Sequence, residues 1–151
     1  MPWVVLVIIV SFFANKYDVL PLSLPQSASY SLCGLLALPG VAAFALGIKS
    51  LPLRIVLLGS DNYRLVTDGV YSRIRNPICL SCVLLSFSAG IGFNSLAGLL
   101  VAIASFIAAY LRASLREEKE LEQRFGTEYR EYRRRVGMFI PKPSLDRKRL
   151  K

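Results

Sequence analysis

Histidine is absent from the 151-residue sequence, and tryptophan occurs once, at Trp3. Without histidine the commonest general base is missing, and no Ser-His triad can be assembled. Cysteine is scarce: Cys33, Cys79 and Cys82 are the three, and all fall in apolar segments. Cys79-x-x-Cys82 has the spacing of half a metal or redox motif. A structural zinc needs four nitrogen or sulfur ligands, which one further cysteine and no histidine cannot supply. The cysteines therefore read as small apolar helix residues, and no metal site is expected. No internal repeat or low-complexity tract is present.

Acid is also in short supply, with ten carboxylates against nineteen lysines and arginines, a net charge of +9. Such an excess could serve nucleic acid, but its distribution argues against that partner. Lys49, Arg54, Arg64, Arg73 and Arg75 lie between the second and third of four apolar segments, and nearly all the rest lie from Arg112 onward. Lys16 is the only basic residue between the first segment and the second, and none separates the third from the fourth. This is the positive-inside pattern of a membrane protein. It places both termini and the 49–76 loop in the cytosol, facing anionic headgroups, and the 15–26 and 93–95 turns outside.

What is present in quantity is apolar. Hydrophobic residues make up 54% of the chain and charged ones 19%, which departs from the soluble norm in both respects. The four apolar segments are Pro2 to Ala14, Ser27 to Ile48, Pro77 to Phe93 and Ser95 to Leu111. A spanning helix needs about 20 apolar residues. The second segment passes easily, the third and fourth sit at the lower limit, and the first is short enough to require local thinning or a re-entrant pose. The expected fold is all-α and polytopic, with about four transmembrane helices and a cytosolic helical C-terminal segment. Residues 1–60 form the N-terminal spans and loop, 61–142 a core and 143–151 a basic tail of a single domain.

Local signals refine this picture. Residues 51 to 58 read as an interfacial piece, and Ser60-Asp61-Asn62 and Thr67-Asp68-Gly69 as turns. Pro77 suits the first turn of the third helix. Gly90-x-Gly92 followed by Asn94-Ser95 predicts a very tight turn, so helices three and four form an antiparallel hairpin. Leu111, Leu115, Glu118, Leu121 and Phe125 are expected to continue the fourth helix along one face. Gly126 interrupts it, Thr127 can cap a new helix, and Tyr129, Tyr132 and Val136 form a second apolar stripe.

The hairpin brings together two polar groups at the cytosolic face. Tyr71, Arg73, Arg75 and Asn76 open helix three, and Arg112, Arg116, Glu117 and Glu118 leave helix four. On residue types alone, Glu117 and Glu118 could simply pair with nearby arginines on a solvated helix face, and the start of helix three could be a headgroup anchor.

Two blocks carry a family resemblance. The first is Gly69-x-Tyr71-x3-Arg75-Asn76-Pro77. The second is Glu117-Glu118-x2-Leu121-x3-Phe125-Gly126-x2-Tyr129-x2-Tyr132-x3-Val136-x2-Phe139-Ile140-Pro141. Together they resemble the isoprenylcysteine carboxyl methyltransferases, relatives of the membrane phospholipid N-methyltransferases. The usual Arg-His-Pro-x-Tyr-x-Gly of that family stands here as Arg75-Asn76-Pro77-Ile78-Cys79-Leu80-Ser81. The resemblance implies S-adenosylmethionine bound between helix three, helix four and the C-terminal segment. Its cofactor residues would be Tyr71, Arg75, Asn76, Pro77, Cys79, Leu80, Glu117 and Glu118, with Arg75 and Asn76 on the carboxylate or ribose and the glutamates on the ammonium and ribose hydroxyls. Glu117, Arg112 and Arg116 would act on the acceptor, a lipid or a lipid-modified small molecule or protein. The implied reaction is carboxyl O-methylation of a prenylcysteine-type substrate. The alternatives are phospholipid amine N-methylation and a non-catalytic membrane protein retaining the fold. A carboxylate acceptor is already nucleophilic and needs no base, so the missing histidine is no obstacle.

Overall fold

A computed structural model describes residues 3–51 and 65–142. The expected interfacial piece beyond residue 51, the turn at 60–62 and the basic tail lie outside the described residues. Within them the chain is helical and holds no strand, only two isolated bridges. Helices α1 (Trp3–Lys16), α2 (Gln26–Ser50), α3 (Pro77–Gly92) and α4 (Leu96–Arg112) form the bundle. A 3-10 turn, Gly69–Ser72, precedes α3. A π-helical turn, Ala113–Glu117, carries α4 into α5 (Glu118–Arg135).

The bundle is packed inside out relative to a soluble protein. Its buried positions hold Ser11, Ser29, Gly40, Gly47, Ser81, Ser86, Ser88, Gly98 and Ala102. Its outer faces expose Leu35, Leu38, Val41, Ile103 and Ile107. Water would penalise such a surface, whereas lipid does not, and small residues let helix backbones approach closely in lipid. The contacts show how closely: a Cβ on Gly98 would collide with Ser11 of α1, and one on Gly47 would lie 2.8 Å from Ile78. Buried hydroxyls are mostly satisfied. Ser86 donates to the Cys82 carbonyl at 2.8 Å, and Ser88 reaches across from α3 to the Cys33 carbonyl of α2 at 3.0 Å.

Two helical stretches are long and apolar enough to cross a membrane, Gln26–Ser50 and the continuous run Leu96–Arg135. Helices α1 and α3 are apolar but shorter, at 14 and 16 residues. The α3–α4 hairpin forms as expected, with Ser95 capping α4 by accepting the Gly98 amide at 3.0 Å. The turn is built differently from the expectation, however. Gly90 and Gly92 remain helical, and the left-handed residue is Asn94, at φ 49°. The glycines serve close packing instead, since a Cβ on Gly90 would strike Leu99 and one on Gly92 would meet Cys33. Asn94 holds this end together: its side chain exchanges hydrogen bonds with Leu24, and its carbonyl accepts from Leu22 at 2.8 Å. The 17–25 and 93–95 loops thus share one end of the bundle, and the starts of α1 and α3 share the other.

One expectation about the fourth helix is overturned. The residues from Leu111 to Phe125 do not share a face: Leu115 is 55% exposed while Glu118 is 5% exposed. The π turn Ala113–Glu117, which contains Leu115 and ends just before Glu118, inserts an extra residue and shifts the register. Gly126 does break α5, at φ 53° and ψ −119°. Beyond it Tyr129, Tyr132 and Val136 form a small buried cluster with Leu65, Leu121 and Phe125.

Candidate active site

The site grows from the entrance to α3. Gly69 opens the 3-10 turn at φ 60°, hard against Ser50 at the end of α2, where a side chain would clash with the serine hydroxyl. The turn delivers Tyr71, and Pro77 then starts α3 with no amide proton to satisfy. The C-terminal segment clasps this entrance. Ile74 bridges Gly137 in parallel, the Arg75 amide donates to the Gly137 carbonyl at 2.9 Å, and the Asn76 amide donates to that of Met138 at 3.0 Å. Phe139 then packs against Phe106 and Tyr110 of α4, its ring centroid 6.0 and 6.3 Å from theirs. The hydroxyl of Tyr132 donates to the Tyr71 carbonyl at 2.7 Å. Backbone pairing of this kind leaves no trace in side-chain pattern, and sequence reasoning missed it.

Beneath the clasp lies a buried charge network. Arg75 Nη1 stands 2.6 Å from Glu118 Oε1, with side chains 10% and 7% exposed. The same nitrogen donates to the Tyr129 hydroxyl at 3.1 Å, and Arg133 Nε lies 3.2 Å from the other Glu118 oxygen. The Arg75–Glu118 contact is an ion pair without good hydrogen-bond alignment, and Arg75 Nε has no hydrogen-bond partner among the described residues. Burial pushes the Tyr71 phenol up to about 12 and raises that of Tyr132 as well. Tyr129 is raised chiefly by burial and then by Glu118, with Arg75 opposing. All three phenols stay protonated at neutral pH, so they donate or accept hydrogen bonds and do not act as bases.

A cavity of about 150 Å³ adjoins this network. Trp3 of α1 lines it, with Tyr71, Arg75, Asn76, Pro77, Ile78 and Cys79 from the α3 entrance and Ala109, Arg112, Ala113 and Glu117 from α4 and the π turn. The two polar groups expected to be neighbours do meet here. Arg112 grips Glu117 Oε1 through Nε at 3.1 Å and Nη2 at 2.9 Å, in a half-exposed pair. Glu117 and Glu118 therefore have different surroundings. Glu117 borders the cavity and keeps the partly solvated arginine pairing expected of a helix face, whereas Glu118 is sunk in the network. Arg116 and Arg73 are exposed and, like Leu80, line neither this cavity nor its neighbour. That neighbour is an open cleft of about 650 Å³ bordered by Arg75, Thr127, Arg130, Arg133, Arg134 and Lys142, with Glu122 and Glu131. No group of metal-ligating side chains occurs among the described residues. Trp3, Ala109 and Ala113 carry no signal in the motif blocks, and Trp3 could have been found only from the period of α1.

A family model described as phospholipid methyltransferase matches residues 32–128. The match runs from α2 through both helices of the hairpin, the π turn and the kink in α5. No curated protein matches the chain.

Proposed function

The chain belongs to the phospholipid methyltransferase family, and from that premise we propose that it transfers a methyl group from S-adenosylmethionine to a lipid-borne acceptor at the α3 entrance. The observation that carries this reading is the convergence of Asn76, Arg112 and Glu117 with apolar Pro77, Ile78, Ala109 and Ala113 around one cavity at the end of an apolar bundle. The lining fits the aminoacyl and sulfonium end of the cofactor, with the Glu117 carboxylate for its ammonium, Arg75 and Asn76 for its carboxylate and aliphatic walls for its carbons. At about 150 Å³ the cavity is smaller than the roughly 300–1,000 Å³ that whole ligands occupy. The nucleoside end would extend toward the wider cleft, which Arg75 also borders.

When bound, the cofactor supplies an electrophilic methyl group. The protein's part is to hold donor and acceptor in line, which can lower the barrier by about 7–11 kcal/mol. Arg112 is placed to hold an acceptor carboxylate in a two-pronged grip if Glu117 turns to the cofactor. Arg75 and Glu118 act from below by fixing the α3 entrance against α5. A prenylcysteine-type carboxylate is the acceptor this arrangement suits, because no histidine is present and the nearby phenols are held protonated. The family description favours a second acceptor, a phospholipid amine, for which Glu117 would take the proton. We further propose that all four helices cross the membrane, the bilayer thinning around α1 and α3, with the α3 entrance on the cytosolic side.

The test is methyl transfer from radiolabelled S-adenosylmethionine by the purified protein in vesicles, offered a farnesylcysteine analogue or phosphatidylethanolamine. Label in the first product supports O-methylation, and label in the second alone moves the assignment to the amine. No calorimetric cofactor binding and no transfer to either would leave a family fold without the activity.

A further inference from the structure

The chain's single tryptophan stands on the inner face of α1. Trp3, Val7, Ser11 and Ala14 follow helical spacing, and the last three are buried. Ser11 sits so close to Gly98 that α1 is locked against α4 there. That lock sets the rotation of α1 and turns the half-buried Trp3 to the cavity shared by Cys79, Ala109, Arg112 and Glu117. Apart from Tyr71 and the Asn76 amide, the cavity's other uncharged walls are aliphatic or small. Trp3 also lies outside the 32–128 match, on a helix the family model does not reach.

An indole face attracts cations more strongly than any other aromatic side chain. We propose that Trp3 is a donor-binding residue whose indole recognises the positive sulfonium of S-adenosylmethionine and discriminates it from the neutral thioether left after transfer. The proposal rests on the reading of the cavity as the cofactor site. In the reaction the sulfur–methyl bond breaks and its electron pair stays on sulfur, while the methyl bonds to the acceptor oxygen or nitrogen. The cation facing the indole is thereby lost, so product is held less tightly than donor.

Because Trp3 is the only tryptophan, indole-selective emission of the unaltered protein reports on this position alone. Titration with S-adenosylmethionine in detergent should change that emission saturably, with a midpoint equal to the calorimetric Kd. Unchanged emission despite calorimetric binding overturns the proposal and leaves the site assignment standing. Absence of calorimetric binding overturns both. In Trp3→Leu the preference for S-adenosylmethionine over S-adenosylhomocysteine should fall by roughly two- to thirtyfold, and Trp3→Phe should retain most of it. Equal weakening of both ligands in Trp3→Leu would make Trp3 a structural wall and sink the proposal. If Trp3→Leu does not fold, the emission titration and Trp3→Phe decide.

Discussion

Adjacent glutamates should respond very differently to the same change. Glu118→Gln removes one charge from a pair whose side chains are 7% and 10% exposed, leaving the Arg75 guanidinium with the uncharged Tyr129 hydroxyl in place of a counter-ion. Removing one partner of a buried pair costs about 3–5 kcal/mol. The glutamine carbonyl keeps a dipole facing Arg75, so the lower figure applies, about 3 kcal/mol. For a chain of this length that lowers Tm by about 6–12 °C. Glu117→Gln breaks a pair whose side chains are 43% and 57% exposed. Solvent screening leaves such a pair about 0–1 kcal/mol, a Tm change of no more than about 4 °C. Its effect should fall on cofactor affinity instead, by about 1.5–3 kcal/mol for a charge-assisted hydrogen bond. Unfolding in detergent can be followed with a thiol-reactive dye, because Cys82 is buried and Cys33 and Cys79 are half-buried. Adding Arg75→Gln to Glu118→Gln should cost less than the sum of the two, since no buried charge is then orphaned. Equal melting temperatures for the two glutamine variants would refute the division of roles between Glu117 and Glu118.

Three other outcomes follow from the same geometry. Cys79→Tyr adds a ring to a cavity of about 150 Å³ that Trp3 already lines, so it should cost about 1–3 kcal/mol in a thermal melt and weaken cofactor binding measured by calorimetry; tighter binding with an unchanged melt would show that the space is empty. Tyr17→Cys, 66% exposed at the hairpin end, and Arg134→Cys, exposed near the α3 entrance, should react with an impermeant thiol reagent from opposite sides of the membrane, and labelling from one side would overturn the proposed orientation. Tyr71 titrates at about 10 when unfolded and about 12 when folded, so its contribution to stability is complete below pH 10 and is lost as pH rises to 12; the melting temperature should fall over that window, less steeply in Tyr71→Phe, and equal slopes would contradict the burial of this phenol.

Helix limits were legible because the apolar runs have abrupt ends. Long uncharged stretches end where charge or a capping residue begins, so the expected Ser27 to Ile48 is found as Gln26–Ser50, and Ser95 to Leu111 as Leu96–Arg112. Pro77 marked the start of α3 because its missing amide proton costs nothing in the first turn and a polar stretch precedes it. The glycines were less informative. A glycine near a turn signals either positive φ or close approach, and it is the packing of neighbouring helices that gives Gly90 and Gly92 the second purpose while Asn94 makes the turn. The nearness of the two polar groups followed from the hairpin, but the partners within them did not. Arg75 meets Glu118 from the far side of the whole hairpin, and the C-terminal clasp uses backbone groups that nearly every residue possesses.

The π turn is the feature that sequence could least disclose and on which the site most depends. Nothing in Ala113-Ser114-Leu115-Arg116-Glu117 distinguishes it from an α-helical turn, since each of these residues is at home in either. Its wider ring is set by what lies on both sides: α4 is locked in the bundle by Gly98, and α5 is held by Tyr129, Tyr132 and the Arg75 pair. The extra residue reconciles the register of an apolar helix with that of a polar one. It also leaves Arg112 and Glu117 at the cavity while Glu118 turns into the network below. The apolar and polar parts of the chain thus meet at one local irregularity, with the candidate donor pocket on one side of it and the charge pair that braces the α3 entrance on the other.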